Sequence, residues 1–349
     1  MRPFTLLLLA LLCVPAARAR ADENVVPVGF FDGAGGLLER LNPFRKSEGS
    51  GPAAAPRGAP MTIVSWNLQT FGQGLTKKHL NRKQAFDQAM PQVLADPSVG
   101  VLAAQEVAND KGAATLQEML PQSGDWQQSF QQTDDSMNNG FWVRDTKIDC
   151  QGLLFEDRGL SQHPARVAHM RRGDFDFTII TVHLSFDGGH ADSSGGELDH
   201  VLDWLQAYFA KPGADPDVIV VGDFNLPSRA GRSKGKGIAV EDFIDQWRAG
   251  GHRLPEFVTL VDKPTSRSHG DPAHNYDHFL LSKHLAQTAY VDGSADRVPD
   301  AVIEAIRAIE AQKSVLISDH FPVQARFYTS GAGADGRPIQ PDGAPICSL

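Results

Sequence analysis

Cysteine is scarce, with three in 349 residues, at positions 13, 150 and 347. That scarcity excludes a disulfide-framed scaffold, and the wide spacing gives no structural zinc cluster. Positive charge is also short. Lysine and arginine number 33 against 42 acids, a formal charge of −9. Such a chain is not an obvious polyanion binder, so a nucleic-acid substrate would require a local basic surface or metal ions to offset repulsion. Internal repeats are absent. Membrane-length apolar runs are absent as well: the stretch Phe4 to Val14 is too short to span a bilayer.

That short run has its own meaning. Arg2 precedes it, and Pro15 and the small-residue stretch Ala16-Ala17-Arg18-Ala19-Arg20-Ala21 follow, the basic, apolar, A-x-A layout of a secretory signal peptide. Cleavage after Ala19 or Ala21 fits equally. Loss of residues 1–21 removes three arginines and no acid, taking the charge from −9 to −12. Cys13 lacks small residues directly before it, which argues against a lipid anchor. The expected location is therefore periplasmic or secreted, without stable membrane insertion after signal cleavage. In an oxidising compartment Cys150 and Cys347 are candidates to pair, tying the tail to the body.

What is present is enough apolar material for a sizeable core: 41% of residues are apolar and 21% charged. Residues 22–60 read as a leader with one apolar patch (Phe30, Phe31, Leu37, Leu38, Leu41) running into a Gly/Ala/Pro/Ser-rich linker. The folded domain is expected over 61–329, with a loose Gly/Pro/Asp-rich tail over 330–349. Buried strands are expected at Met61–Trp66, Val99–Ala104 and Val218–Val221, where β-branched or small apolar residues run without interruption. Further strands are expected near 126–130, 140–144, 153–155, 276–281 and 321–328, with a hairpin pairing 166–170 and 175–182 across Arg172-Gly173-Asp174. Helices are expected at 80–94, 115–120, 197–209, 240–248 and 299–311. Several successive strands have no helix between them, which favours a mixed α/β (α+β) fold or two packed sheets with outer helices over a purely parallel one.

The polar residues at strand ends carry the functional signal. Asn67, Glu106, His183, Asp223 with Asn225, Asp277, and Asp319 with His320 each lie at or beside one. Asp223 and Asn225 point to one side where the Val218–Val221 strand leaves its sheet, an edge where open α/β folds place ligands. Each of these could be a turn former or a satisfied buried pair. A cluster of unpaired carboxylates is electrostatically costly, and a hard divalent cation with oxygen ligands resolves that cost.

The ordered motifs Ser65-Trp66-Asn67-Leu68, Gln105-Glu106-Val107, Thr181-Val182-His183-Leu184, Gly222-Asp223-Phe224-Asn225, Tyr276-Asp277-His278 and Ser318-Asp319-His320 resemble those of the endonuclease/exonuclease/phosphatase superfamily, whose members are similar to pancreatic-type deoxyribonuclease. The resemblance spans about residues 61–328. It implies a four-layer sandwich of two packed mixed β-sheets flanked by helices, and metal-dependent hydrolysis of a phosphate ester. Residue by residue, it implies Glu106 as the principal Mg²⁺ ligand (Mn²⁺ or Ca²⁺ as substitutes), with Asn67 and Asp319 beside it. Asp277 would orient His320, Asp223 would orient or deprotonate the attacking water, and Asn225 would hold a phosphoryl oxygen or that water. His183 would stabilise developing charge or protonate the leaving oxygen. Whether Asp223 or the Asp277–His320 pair is the base stays open. Arg166 and Arg144 are the candidate phosphate contacts, and Thr265 is expected to shape a loop.

One departure stands out. The secreted deoxyribonucleases place a glutamate, which supports the histidine corresponding to His183, where this chain has Met137-Asn138-Asn139. An amide or water is the expected substitute. The Gly-rich basic loop Arg229 to Lys236 favours a nuclease acting on DNA or RNA. A sphingomyelinase-like enzyme would want exposed aromatics after His183, where only Phe186 occurs, and an inositol-phosphate phosphatase a basic pocket that the sequence does not reveal. The alternative outside catalysis is a secreted binding module on the same fold.

Overall fold

The computed structural model describes residues 58–74, 76–154, 163–185, 191–231, 237–268 and 271–330. The expected signal peptide, nearly all of the leader and the C-terminal tail lie outside them. Two six-stranded sheets form the framework. The first comprises β1 (Pro60–Phe71), β2 (Val99–Val107), β3 (Trp126–Phe130), β4 (Asn138–Arg144), β13 (Asp296–Arg297) and β14 (Val323–Tyr328), in the order β13-β14-β1-β2-β4-β3. The second comprises β5 (Lys147–Leu154), β6 (Ala165–Arg172), β7 (Phe175–His183), β8 (Val218–Asp223), β9 (Phe257–Leu260) and β12 (Asp277–Ser282), in the order β5-β6-β7-β8-β12-β9. Both sheets are mixed: β1–β2 and β7–β8 are parallel and every other pair is antiparallel. A separate hairpin pairs β10 (Ser266–Ser268) with β11 (Asp271–His274).

Three buried clusters mark the layers. Between the sheets, Met61, Ile63, Val101, Ala103, Phe141 and Val143 meet Ala168, Met170, Phe177, Ile179, Val221 and Phe279. Outside the first sheet, Val64, Trp66, Leu102 and Ala104 pack on α1 (Lys77–Val93), α2 (Asp110–Met119) and α6 (Asp300–Lys313). Outside the second, Val167, Ile180, Val218 and Val220 pack on α3 (Ala191–Phe209) and α4 (Val240–Ala249). A short α5 (Lys283–Thr288) follows β12. The core strands are apolar on both faces because both faces are covered, so they read as unbroken β-branched runs rather than alternating ones.

The strand directions fix the site. Parallel β1 and β2 deliver Asn67 and Glu106 to one edge, and parallel β7 and β8 deliver His183 and Asp223 to the facing edge. Antiparallel β12 begins there with Asp277 opposite Asp223, and the chain entering β14 brings residues 318–320 to the same place. Just below, Gln105 Nε2 donates to Thr181 Oγ1 at 2.8 Å and to Ser65 Oγ at 3.1 Å, tying the two sheets together at the boundary between apolar core and polar edge.

Candidate active site

The cleft is built on strained backbone. Four non-glycine residues at its rim have positive φ: Gln69 at 50°, Thr70 at 54°, Glu106 at 58° and Asn225 at 49°. Each such conformation costs on the order of 1–3 kcal/mol, and such residues cluster at functional sites. Glu106 lies where the β2–β4 register shifts between Ala104 and Val107, so its side chain leaves the ladder and turns into the cleft. Gly222 has φ 136°, and a Cβ there would sit 2.1 Å from the Val182 carbonyl oxygen. Only glycine lets β8 approach β7 closely enough to aim Asp223.

A continuous hydrogen-bonded line joins the strand ends. Asn67 Nδ2 donates to Glu106 Oε1 at 2.9 Å and to Asp223 Oδ2 at 3.0 Å. Glu106 Oε2 accepts from the Thr70 N–H at 2.8 Å. Asp223 Oδ1 accepts from the Asn225 N–H at 2.9 Å, while Asn225 Nδ2 donates to the Leu184 carbonyl at 2.6 Å. His320 sits between two carboxylates, with Nδ1 2.7 Å from Asp277 Oδ2 and Nε2 3.4 Å from Asp223 Oδ2. His183 Nε2 lies 3.5 Å from Glu106 Oε1 and 3.9 Å from Asp223 Oδ2. The side chains of Asn67, Asp223 and Asp277 are fully buried at the floor, whereas Glu106 and Asp319 are partly exposed toward solvent.

The sequence model of the endonuclease/exonuclease/phosphatase family matches residues 64–320. The chain belongs to this family. No curated protein sequence matches it. Solved structures share the fold at low identity. Danio rerio TDP2 in complex with a single-strand DNA product is 14% identical with a TM-score of 0.53, covering 78% of this chain and 100% of that one. An endonuclease/exonuclease/phosphatase family protein from Bacteroides thetaiotaomicron is 15% identical with a TM-score of 0.52, covering 78% and 96%. The mannosyl-6-phosphatase of the same organism is 16% identical with a TM-score of 0.50, covering 76% and 99%. The family fold is that of hydrolases acting on phosphoester bonds.

Burial and neighbouring charges set the charge states of this polar cluster. Burial pushes the Asp223 carboxyl up to about 7, with Asp277 adding to the shift and His320, Asn225 and Asn67 opposing it. Glu106 is raised by burial and by Asp319, against the hydrogen bonds from Asn67 and Thr70. Burial alone would lower His320, but Asp277 and Asp223 outweigh it and hold the ring charged, up to about 10. His183 is pushed well below its ordinary value by burial, then by the neighbouring His163 and His320. A further cation borders the carboxylates: Arg82 of α1 donates to the Ile317 carbonyl at 2.6 Å and to the Leu68 carbonyl, and the charges of Asp319 and Glu106 act on it. Nothing in the sequence distinguishes Arg82 from the other charged residues of its helix.

The donor set suits a hard cation. Glu106 and Asp319 offer carboxylate oxygens, and Asp319 Oδ1 is buried without a hydrogen-bond partner among the described residues. The Asp223, Asp277 and His320 donors lie within 4.8 Å of one another. Asn67 joins these groups through its amide nitrogen, its Oδ1 accepting from the Gln69 N–H at 2.9 Å. A second cluster of His169, Asp176 and Asp215 stands near the starts of β7 and β8, at the opposite end from His183 and Asp223.

Of the two arginines expected to contact phosphate, Arg144 is employed elsewhere. β4 runs antiparallel to β2, so Arg144 at its end lies opposite the start of β2, far along the ladder from Glu106. Its guanidinium donates to the carbonyls of Asp96, Val99 and Ser123 at 2.9–3.1 Å and covers the Trp126 ring. Arg144 is a structural clamp. Arg166, opposite Thr181 near the His183 end of β7, donates to Ser129 Oγ at 2.8 Å and Gln151 Oε1 at 3.2 Å, and its Nη1 is buried without a hydrogen-bond partner among the described residues. The expectation of an amide supporting His183 also fails. Asn138 bonds the 133–135 turn and the Val107 carbonyl, Asn139 bonds the Pro164 carbonyl, and His183 Nδ1 has no hydrogen-bond partner among the described residues. Thr265 does shape a loop: its Oγ1 accepts from the N–H groups of Tyr276 and Asp277. Of the basic loop, Arg229 pairs with Asp242 and Asp245, while residues 232–236 lie outside the described residues. Cys150 is disulfide-bonded, and its expected partner Cys347 is likewise outside them.

A cleft of about 320 Å³ opens beside the Glu106 end, lined by Phe71, Gly72, His79, Arg82, Lys83 and Lys111 among others. Leu80 on its wall is the one large apolar side chain exposed to solvent among the described residues, at 48%.

Proposed function

We infer that this chain is an exported, Mg²⁺-dependent phosphodiesterase and that its substrate is nucleic acid. The observation that carries the reading is the line Glu106–Asn67–Asp223–His320–Asp277, which links a carboxylate facing solvent to a buried carboxylate–imidazole pair. In an in-line displacement the water oxygen bonds to phosphorus, the bond to the leaving oxygen breaks, and the water proton must go to a base. Both ring nitrogens of His320 face carboxylates, so both carry protons and the ring cannot accept another. Asp223, with a carboxyl pushed up to about 7, is the fitting base at neutral pH. His320 then stabilises the charge that builds on the phosphoryl oxygens, and His183, kept neutral by burial, is placed to give the leaving oxygen a hydrogen bond from Nε2. Asn225 spends its Nδ2 on Leu184, so it orients Asp223 through its N–H. Glu106 and Asp319 would hold the cation, which when bound neutralises phosphoryl charge; Mn²⁺ and Ca²⁺ suit the same oxygen donors.

Nucleic acid is favoured over a small phosphate ester by the cleft beside Glu106. Lys83 and Lys111 flank it as exposed cations on an otherwise acidic chain, and a polymer running past the site would place neighbouring phosphates there. The TDP2 structure with its single-strand DNA product supports the same choice. Export rests on the N-terminal segment and predicts a mature protein starting at Arg20 or Asp22, which mass spectrometry of the exported form reads directly.

The test is incubation of purified mature protein with plasmid DNA, RNA, sphingomyelin and mannose 6-phosphate, in Mg²⁺ or in chelator. Metal-dependent nicking is expected, with KM for DNA raised by about tenfold in a Lys83→Glu/Lys111→Glu variant and falling affinity as salt rises. Turnover of the sugar phosphate alone, or phosphocholine release without nicking, overturns the nucleic-acid reading. No turnover of any ester favours a binding module.

A further inference from the structure

His163 has no part in the chemistry above, yet it lies flat against His183. Their ring centroids are 4.5 Å apart and the planes differ by 8°. His163 Nδ1 in turn sits 2.5 Å from Asp135 Oδ2, with both side chains largely buried. The backbone under this pair is pinned from one place. Asn138 Nδ2 donates to the Asp135 carbonyl at 2.9 Å, and its Oδ1 accepts from the Thr133 N–H at 2.8 Å, closing the turn that carries Asp135. The next residue, Asn139, donates to the Pro164 carbonyl at 3.0 Å, fixing the Pro164–Ala165 peptide one residue beyond His163. Two adjacent asparagines of β4 therefore hold both members of the dyad.

His183 needs such a support. Its Nδ1 is buried without a hydrogen-bond partner among the described residues, so no bond at that atom fixes the rotation of the ring. Its Nε2 is 3.5 and 3.9 Å from the two carboxylates it faces, too far for either to orient it firmly. The His163 ring lies stacked against its face. We propose that the Asp135–His163 pair is a positioning device for His183: Asp135 locks the His163 ring, and that ring, stacked on His183, holds His183 Nε2 toward the Glu106–Asp223 side of the cleft.

The proposal deepens the phosphodiesterase reading and rests on it for its kinetic consequence only. Its direct readout is independent of substrate. In histidine-labelled full-length mature protein, the His183 ring signals should be single, narrow and shifted by the His163 ring current. His163→Ala should move and broaden them. His163→Phe, which keeps a flat ring but loses the bond to Asp135, and Asp135→Asn, which weakens that bond, should both fall between wild type and His163→Ala. His183 signals in His163→Ala that stay as in the wild type overturn the proposal, whatever the enzyme hydrolyses.

With bis(p-nitrophenyl) phosphate and Mg²⁺, kcat should fall about ten- to a hundredfold in His163→Ala, the scale of a small misplacement of a reacting group, with KM nearly unchanged. His163→Phe should recover part of it. A Phe variant as poor as Ala contradicts positioning by stacking and assigns the ring a charge or proton role instead. An unchanged circular dichroism spectrum and melting temperature separate either result from unfolding. If the wild type hydrolyses no phosphodiester, the function reading fails, and the resonance experiment still decides the proposal.

Discussion

Asp223 is the most connected side chain of the cleft, touching Asn67 and Asn225 by hydrogen bonds and facing His320 and His183 through its Oδ2. Its carboxyl and that of Glu106 are both raised, chiefly by burial. A carboxyl raised in the folded state binds its proton more tightly there than in the unfolded chain. Its stabilising effect is therefore complete below the ordinary carboxylate value and is lost as pH climbs through the raised one. A cation competes with those protons. Without metal, the protein should thus lose stability between about pH 5.5 and about pH 8.5, and Mg²⁺ should restore it mainly at the upper end, with a melting shift ~3 °C or more larger there. Thermal melts with and without chelator at the two pH values check this. Equal shifts at both would mean that neither carboxyl lies in the cation's site.

At the scale of elements, the segment 318–320 is held in the cleft by a buried clamp. Arg267 of β10 donates to both oxygens of Glu310 in α6 at 2.8 and 2.7 Å, and to the Ser318 carbonyl at 3.0 Å, while its N–H reaches the Asp319 carbonyl at 2.7 Å. Its guanidinium also covers the Phe321 ring. Arg267→Ala leaves Glu310 buried without its counter-ion, with only the Ile317 N–H bonded to it, which should cost about 3–5 kcal/mol and also loosen His320. Urea denaturation should show the loss. A change below about 1 kcal/mol would mean that Glu310 is resolvated and the clamp is dispensable.

The same scale shows what the sequence conveys. Strands β1, β2, β7 and β8 were legible because strands covered on both faces are written as apolar runs. Edge strand β5 is legible only over its last residues, and β9, β10, β11 and β13 are not legible. The polar content of β5 (Lys147, Asp149, Gln151) and the shortness of β13 resemble loop. The strand-end acids and histidines were legible from residue type and place. Strand direction is not legible there, and it is the antiparallel β2–β4 pairing that sends Arg144 to the far edge. His163 stood in view beside Arg166, but its stack on His183 depends on how the start of β6 sits against β4 and β7, which no local pattern encodes.

For the whole molecule, two sheets carry one cleft between their facing edges, and the polar layer of Ser65, Gln105 and Thr181 joins them directly beneath it. Strain at Gln69, Thr70, Glu106 and Asn225 can persist there because the covered, apolar interior on either side over-determines the backbone. The proposed chemistry of this cleft is phosphodiester hydrolysis with Asp223 as the base. Its most direct test is Mg²⁺-dependent plasmid nicking by Asp223→Asn, which keeps the shape of the side chain and removes its basicity. A loss of about a thousandfold or more in kcat, in protein whose melting temperature is not lowered, is the predicted result. Retention of activity within about tenfold of the wild type would contradict it.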